Sequence, residues 1–79
     1  MRKALNRLNI GESAYVVQVK TEEPLRCRLL DLGFTQGTKV TLKRMAPLGD
    51  PLEVSLRGYL LTLNRRDAAS IIVQKGKPL

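Results

Sequence analysis

The stretch DPLEVSLRGYLLTLNRRDAASIIV, Asp50 to Val73, constrains the fold most, because its apolar alternation changes step in the middle. Leu52, Val54 and Leu56 stand at even positions, whereas Tyr59, Leu61 and Leu63 stand at odd ones. Side chains of a strand alternate between its two faces, so one continuous strand would send the second trio to the side opposite the first. A two-residue turn at Arg57-Gly58 removes the conflict. It sets Leu56 against Tyr59, Val54 against Leu61 and Leu52 against Leu63, and residues directly opposed in an antiparallel pair share a face. All six apolar side chains are then expected on one core-facing side. Gly58 supplies the positive φ that such a turn needs, with Arg57 a less usual companion than Asn or Asp. Pro51 suits the first position of a strand, where a missing N–H costs least. Just upstream, PLGDP (Pro47 to Pro51) places Gly49-Asp50 between two prolines and reads as a turn.

Other segments fit around this hairpin. AYVVQVK (Ala14 to Lys20) is rich in β-branched residues and reads as a strand. TKVTLKRM (Thr38 to Met45) alternates at Val40 and Leu42 and then loses step near Lys43-Arg44, the pattern of a strand with a bulge. SIIVQK (Ser70 to Lys75) reads as a short last strand. Asn64 and Asp67 have the spacing of an N-cap and its third-position partner, which predicts one helical turn over Arg65 to Ala69. The one full helix is predicted in EEPLRCRLLDLGF. Pro24 suits its first turn, Glu22 and Glu23 its positive end, and Gly33 a left-handed stop. Leu25, Leu29 and Leu32 form its core stripe. The fold class predicted is mainly β: a small, partly closed barrel of about five strands, with a short helix after the first strand and a helical turn before the last.

Seventy-nine residues allow one domain, spanning 1–79, with residues 1–7 and 75–79 expected as flexible basic ends. Cys27 is the only cysteine, so no disulfide can form within the chain, which suits a reducing compartment. No apolar run approaches the about 20 residues of a membrane helix, and Asn6, Arg7 and Asn9 interrupt any signal-like start. A cytoplasmic protein without membrane insertion is expected. Fourteen Lys and Arg against seven Asp and Glu give a net charge of +7, a bias towards acidic partners.

Catalytic chemistry is poorly served. The chain has no histidine, its acidic residues show no calcium-loop spacing, and LGFTQG (Leu32 to Gly37) leaves a helix where a phosphate loop would open one. One cysteine cannot build a structural zinc site, and Cys27 has no histidine to activate it. No enzyme, no catalytic or metal residue and no tightly bound cofactor are expected. Two leucines point to protein contact instead. Leu30 lies off the helix stripe, and Leu60 shares the outer face of the hairpin with Glu53, Ser55 and Thr62. With Arg26 at the rim, Leu30 and Leu60 are the candidate partner-binding residues. Exposed strand edges also allow a weak homodimer. The alternatives are a basic barrel that binds nucleic acid, for which the few aromatics are a poor stacking platform, and a weak transition-metal-binding regulatory module.

RLLDLGFTQGTKV (Arg28 to Val40) followed by APLGDPLEVSLRGYLLTLNRRDAASIIV (Ala46 to Val73) resembles the FeoA family, ferrous iron transport protein A. The resemblance is strongest at the helix exit Leu30-Asp31-Leu32-Gly33 and the turn Leu48-Gly49-Asp50-Pro51, taken with the terminal NRRDAASIIV; Leu32, Gly33, Gly49, Asp50, Pro51 and Gly58 are the structural motif residues. It implies an SH3-like barrel and a small cytoplasmic accessory of ferrous iron uptake, with iron as the transported ion only. The implied partner is the cytosolic GTP-binding part of FeoB, the membrane transporter, which would recruit this chain to the inner face of the membrane.

Overall fold

A computed structural model describes residues 1–76 of the chain. It contains β1 (Arg2–Ala4), a 3-10 turn at Leu5–Arg7, β2 (Ser13–Val19), α1 (Leu25–Leu32), β3 (Lys39–Met45), β4 (Leu52–Leu56), β5 (Tyr59–Leu63), α2 (Arg65–Ala68) and β6 (Ile71–Gln74). The strands form one antiparallel sheet in the order β1-β6-β2-β3-β4-β5, so β1 and β5 are its two edges.

The hairpin has the register that its parity switch demands: Leu56 pairs with Tyr59, Val54 with Leu61 and Leu52 with Leu63. Both turn residues have positive φ, 48° at Arg57 and 83° at Gly58, which is the type I′ geometry that matches strand twist. A left-handed conformation is costly for arginine. Here the guanidinium offsets part of that cost. Its Nε donates to the Gly33 carbonyl (3.4 Å) and its Nη2 to the hydroxyls of Thr35 (2.8 Å) and Thr38 (3.3 Å).

Two bulges keep the core continuous. In β3 the register slips between Leu42 and Arg44, so Val40 and Leu42 face inward and then Met45 does. An unforeseen second slip between Val16 and Gln18 in β2 does the same for Ala14, Val16 and Val19. Alternate residues of the strands thus make one core, which Leu5, Leu8, Leu29, Phe34 and Ala68 close from outside the sheet.

The helix runs over a shorter span than the sequence pattern allows, with Pro24 as its N-cap and Gly33 (φ 119°) at its end. Phe34 N–H donates to the Leu29 carbonyl (3.2 Å) and Gly33 N–H to that of Leu30 (3.0 Å), the paired bonds of a Schellman stop. The apolar contact that accompanies this motif is Phe34 against Leu29, both fully buried. At α2, Asn64 Oδ1 accepts from Asp67 N–H (2.7 Å) as an N-cap.

Three expectations are corrected. The sheet has six strands, because Arg2–Ala4 pairs with β6. Most of the segment 1–7, expected as a flexible basic end, is therefore built into the fold, with Leu5 fully buried as its anchor. Three residues are too short an alternation to read in advance. Tyr59, expected in the core, is 40% exposed, because β5 ends the sheet and has no neighbour beyond it. At the other end of the chain, residues 77–79 of the expected flexible segment 75–79 lie outside the described residues.

Candidate docking surface

The candidate partner residues lie on two elements. Leu60 is 58% exposed on edge strand β5, opposite Ser55, on the outer face with Glu53 and Thr62. Arg26 is exposed near the start of α1, where it pairs with Glu23 (3.4 Å). Leu30 is half-buried and packs against the core, since α1 covers the core with a broader face than its three-leucine stripe. No hydrogen bond or ion pair among the described residues joins Arg26 or Leu30 to Leu60. The elements meet at another point, where the Tyr59 hydroxyl donates to the Leu32 carbonyl at the end of α1.

The motif residues act as joints. Gly33 lies so close to the hairpin that a Cβ there would stand 3.1 Å from Arg57 Cδ and 3.2 Å from Leu56 Cδ1. Asp50 Oδ1 accepts from Arg65 N–H (3.0 Å), which ties the PLGDP turn to the first turn of α2. Pro51 leads directly into β4. A shallow hollow of about 540 Å³ opens beside the hairpin, lined by Gln36, Gly37, Thr38, Lys39 and Arg57. It offers cationic and hydroxyl groups but neither a general base nor an activated nucleophile.

Glu12 is a joint that sequence reading missed. Its carboxylate accepts from Asn9 N–H (2.8 Å) and from the ammonium groups of Lys3 (3.3 Å) and Lys75 (3.2 Å), uniting the turn before β2 with edge strand β1 and with the end of β6. Only the S/T/D/N-x-x-E spacing of Asn9 and Glu12 could have marked it. The bond from Asn9, helped by the two lysines, holds its pKa at about 2, against an ordinary 4.5. A carboxylate with a lowered folded-state pKa stabilises the fold fully above its unfolded value and loses that contribution as pH falls towards the folded one. Urea midpoints should therefore decline as pH drops from 4.5 towards about 2, and Glu12→Gln should flatten that decline while lowering the midpoint at neutral pH. An unchanged pH profile in the variant would assign the acid sensitivity to other carboxylates.

Cys27 is exposed, and its backbone N–H donates to Glu23 Oε1 (2.8 Å). The Glu23 charge, with desolvation and Asp31 adding to it, pushes the thiol pKa up, the wrong direction for a nucleophile or metal ligand. Among the described residues no three His, Cys, Asp or Glu come together as an ion cage.

Residues 3–75 match the family model described as the FeoA domain. The chain belongs to the FeoA domain family. A FeoA protein of Chlorobium tepidum is 44% identical, with TM-score 0.83 over 91% of this chain and 69% of that one. Stenotrophomonas maltophilia FeoA, described as complexed with zinc and as a prokaryotic SH3 domain protein, is 28% identical with TM-score 0.81, covering 90% of this chain and 88% of that one. The SH3-like fold follows from the second, with the sheet of this FeoA domain left open between β1 and β5. A Porphyromonas gingivalis protein named as a fusion of Fe(2+) transport protein A with the Fe(2+) transporter FeoB is 37% identical over 70 residues. Those residues are 89% of this chain and 8% of the fusion protein, so the chain spans a small part of that relative.

Proposed function

We propose that this FeoA domain is a non-enzymatic accessory of ferrous iron uptake that docks on the cytosolic GTP-binding part of a FeoB-type transporter. The observation that carries the reading is the fusion relative, whose name joins a transport protein A and a FeoB in one chain. Tethering raises the effective concentration of two modules for each other, an arrangement that suits partners of modest affinity. Iron is the cargo of that system, and the domain contributes a shaped surface on the cytoplasmic side of the membrane.

Edge strand β5 is the proposed contact. In a two-residue hairpin the residues flanking the turn bond to each other, so the next residue along, Leu60, and then Thr62 turn their backbone N–H and C=O away from β4. The two edges of the sheet differ in protection. β1 has three residues, two of them Arg2 and Lys3, and charge blunts an edge. β5 has five residues without charge or proline, and carries exposed Tyr59 and Leu60. An extended segment of the partner can add to it as a further strand, with an apolar side chain on Leu60. Two copies could pair through the same edge, but +7 on each opposes that.

Calorimetry with the purified GTP-binding domain of a FeoB-type transporter, with and without a GTP analogue, tests this. Leu60→Glu should weaken binding by about tenfold or more, as expected for an exposed apolar anchor. Leu30→Glu and Arg26→Ala should weaken it less. A folded Leu60→Glu variant with full affinity would move the contact off β5.

A further inference from the structure

We propose that the end of the sheet opposite the Arg57-Gly58 turn rests directly on an anionic lipid surface, through two apolar turn tips set among basic residues. The first tip is Ile10, 63% exposed, in the turn that Glu12 N–H closes on the Asn9 carbonyl (2.9 Å). The second is Leu48, 93% exposed, in the turn that Gly49 N–H closes on the Ala46 carbonyl (2.7 Å). Each is a central residue of a tight turn, with its side chain in solvent.

Both turns hang from the same end of β3. Gly11 N–H donates to the Leu42 carbonyl (2.6 Å), which docks the first turn beside the bulge, and the second turn follows directly after Met45. Between them lie Lys43 and Arg44, both exposed because the bulge turns them out. Arg65 adds a third cation, its guanidinium packed next to Gly49.

The acids of this end are already engaged. Glu12 is held by Lys3 and Lys75, Asp50 accepts from Arg65 N–H, and Glu53 pairs with Arg44 (3.6 Å), whose side chain stays 83% exposed. Lys43 and Arg65 have no ion pair among the described residues, and the three cations Lys43, Arg44 and Arg65 outnumber the two carboxylates Asp50 and Glu53, so this end is net positive. The shape decides between kinds of anionic partner. Single leucine and isoleucine side chains that protrude from separate turns need a surface that yields around each of them. A fluid interface does this, whereas a protein would need two pockets at a fixed separation. Charge near a phosphate headgroup layer and buried apolar tips act together, as peripheral lipid binding requires. This contact lies away from the Arg57-Gly58 end of β5 and does not depend on the transporter reading.

Flotation with vesicles of equal parts phosphatidylcholine and phosphatidylglycerol, against phosphatidylcholine alone, tests the proposal. The full chain should float with the anionic vesicles at low salt, not with the neutral ones, and dissociate as salt rises. Leu48→Ser and Ile10→Ser, which leave the charge unchanged, should each lower partitioning by about tenfold, and Lys43→Glu by a similar factor. Leu60→Glu serves as an off-site control and should lower it only slightly. Because the chain has no tryptophan, Leu48→Trp gives a single indole whose emission should shift to the blue on anionic vesicles. Failure to bind those vesicles at low salt overturns the proposal. So does binding that Lys43→Glu weakens while Leu48→Ser, Ile10→Ser and the Leu48→Trp emission register nothing, since that pattern belongs to a surface reading any acidic macromolecule.

Discussion

Phe34→Ala should remove most of the margin that keeps this domain folded. The ring is fully buried, it is the only phenylalanine in the chain, and it stands at the point where α1 gives way to the loop that feeds β3. Its backbone N–H closes the Schellman bond to Leu29, so the same residue fixes the exit direction of the helix and plugs the core above the sheet. Truncating a buried phenylalanine costs about 3–5 kcal/mol, through lost transfer energy and the cavity left behind. A domain of this length has roughly 4–12 kcal/mol in total. Urea denaturation followed by circular dichroism should show a large fall in midpoint with little change in slope. Leu32→Ala, which removes a half-buried side chain two residues away, should cost much less. Equal losses from the two substitutions would mean that the core closes without the ring.

The hairpin and its register were legible because period-two alternation and a parity switch leave only one turn position that satisfies all six side chains. The bulge near Lys43-Arg44 was legible for the same reason. The bulge in β2 was not, because AYVVQVK offers apolar residues to both faces, and a run of β-branched side chains hides the slip that brings Val19 inward. Tyr59 shows the limit of pattern alone. Register fixes which face a residue occupies, but burial depends on what covers that face, and β5 has no strand beyond it. Leu30 shows the converse, an apparently stray leucine covered by the core.

Of the candidate surface, Leu60 was found by its conflict with the polar residues beside it, a signal that strand periodicity makes sharp. Asp50 and Glu12 gave no such signal. Each is a polar residue in a turn, and part of its value lies in a partner far along the chain: the Arg65 amide for Asp50, and the Lys75 ammonium that adds to the local Asn9 bond for Glu12. Separations of that kind are set by topology, which one sequence does not display residue by residue. The lesson applies to the basic excess as well. Composition states that +7 exists, but only the fold reveals that Glu53 is paired with Arg44 and Asp50 with the Arg65 amide, leaving the Lys43 and Arg65 side chains without an ion-pair partner among the described residues.

Gly33→Ala should be the second most damaging change, and its origin can be separated into two parts. Gly33 has φ 119°, a conformation that alanine adopts only with strain, so the backbone component is about 1–3 kcal/mol. The added methyl would also stand 3.1 Å from Arg57 Cδ and 3.2 Å from Leu56 Cδ1. The arginine is the flexible neighbour and should give way, breaking its bonds to the Gly33 carbonyl and to Thr35 and Thr38. Those bonds steady a positive φ at Arg57, so displacing the side chain also loosens the hairpin turn that organises the sheet. The total should be about 2–4 kcal/mol, of which the part transmitted through Arg57 is measurable. In an Arg57→Ala background, Gly33→Ala should cost less by about 1 kcal/mol, because the clash with Arg57 and its bonds are already gone while the approach to Leu56 remains. Strict additivity in that double-mutant cycle would mean that the helix exit and the hairpin tip are packed side by side without being coupled.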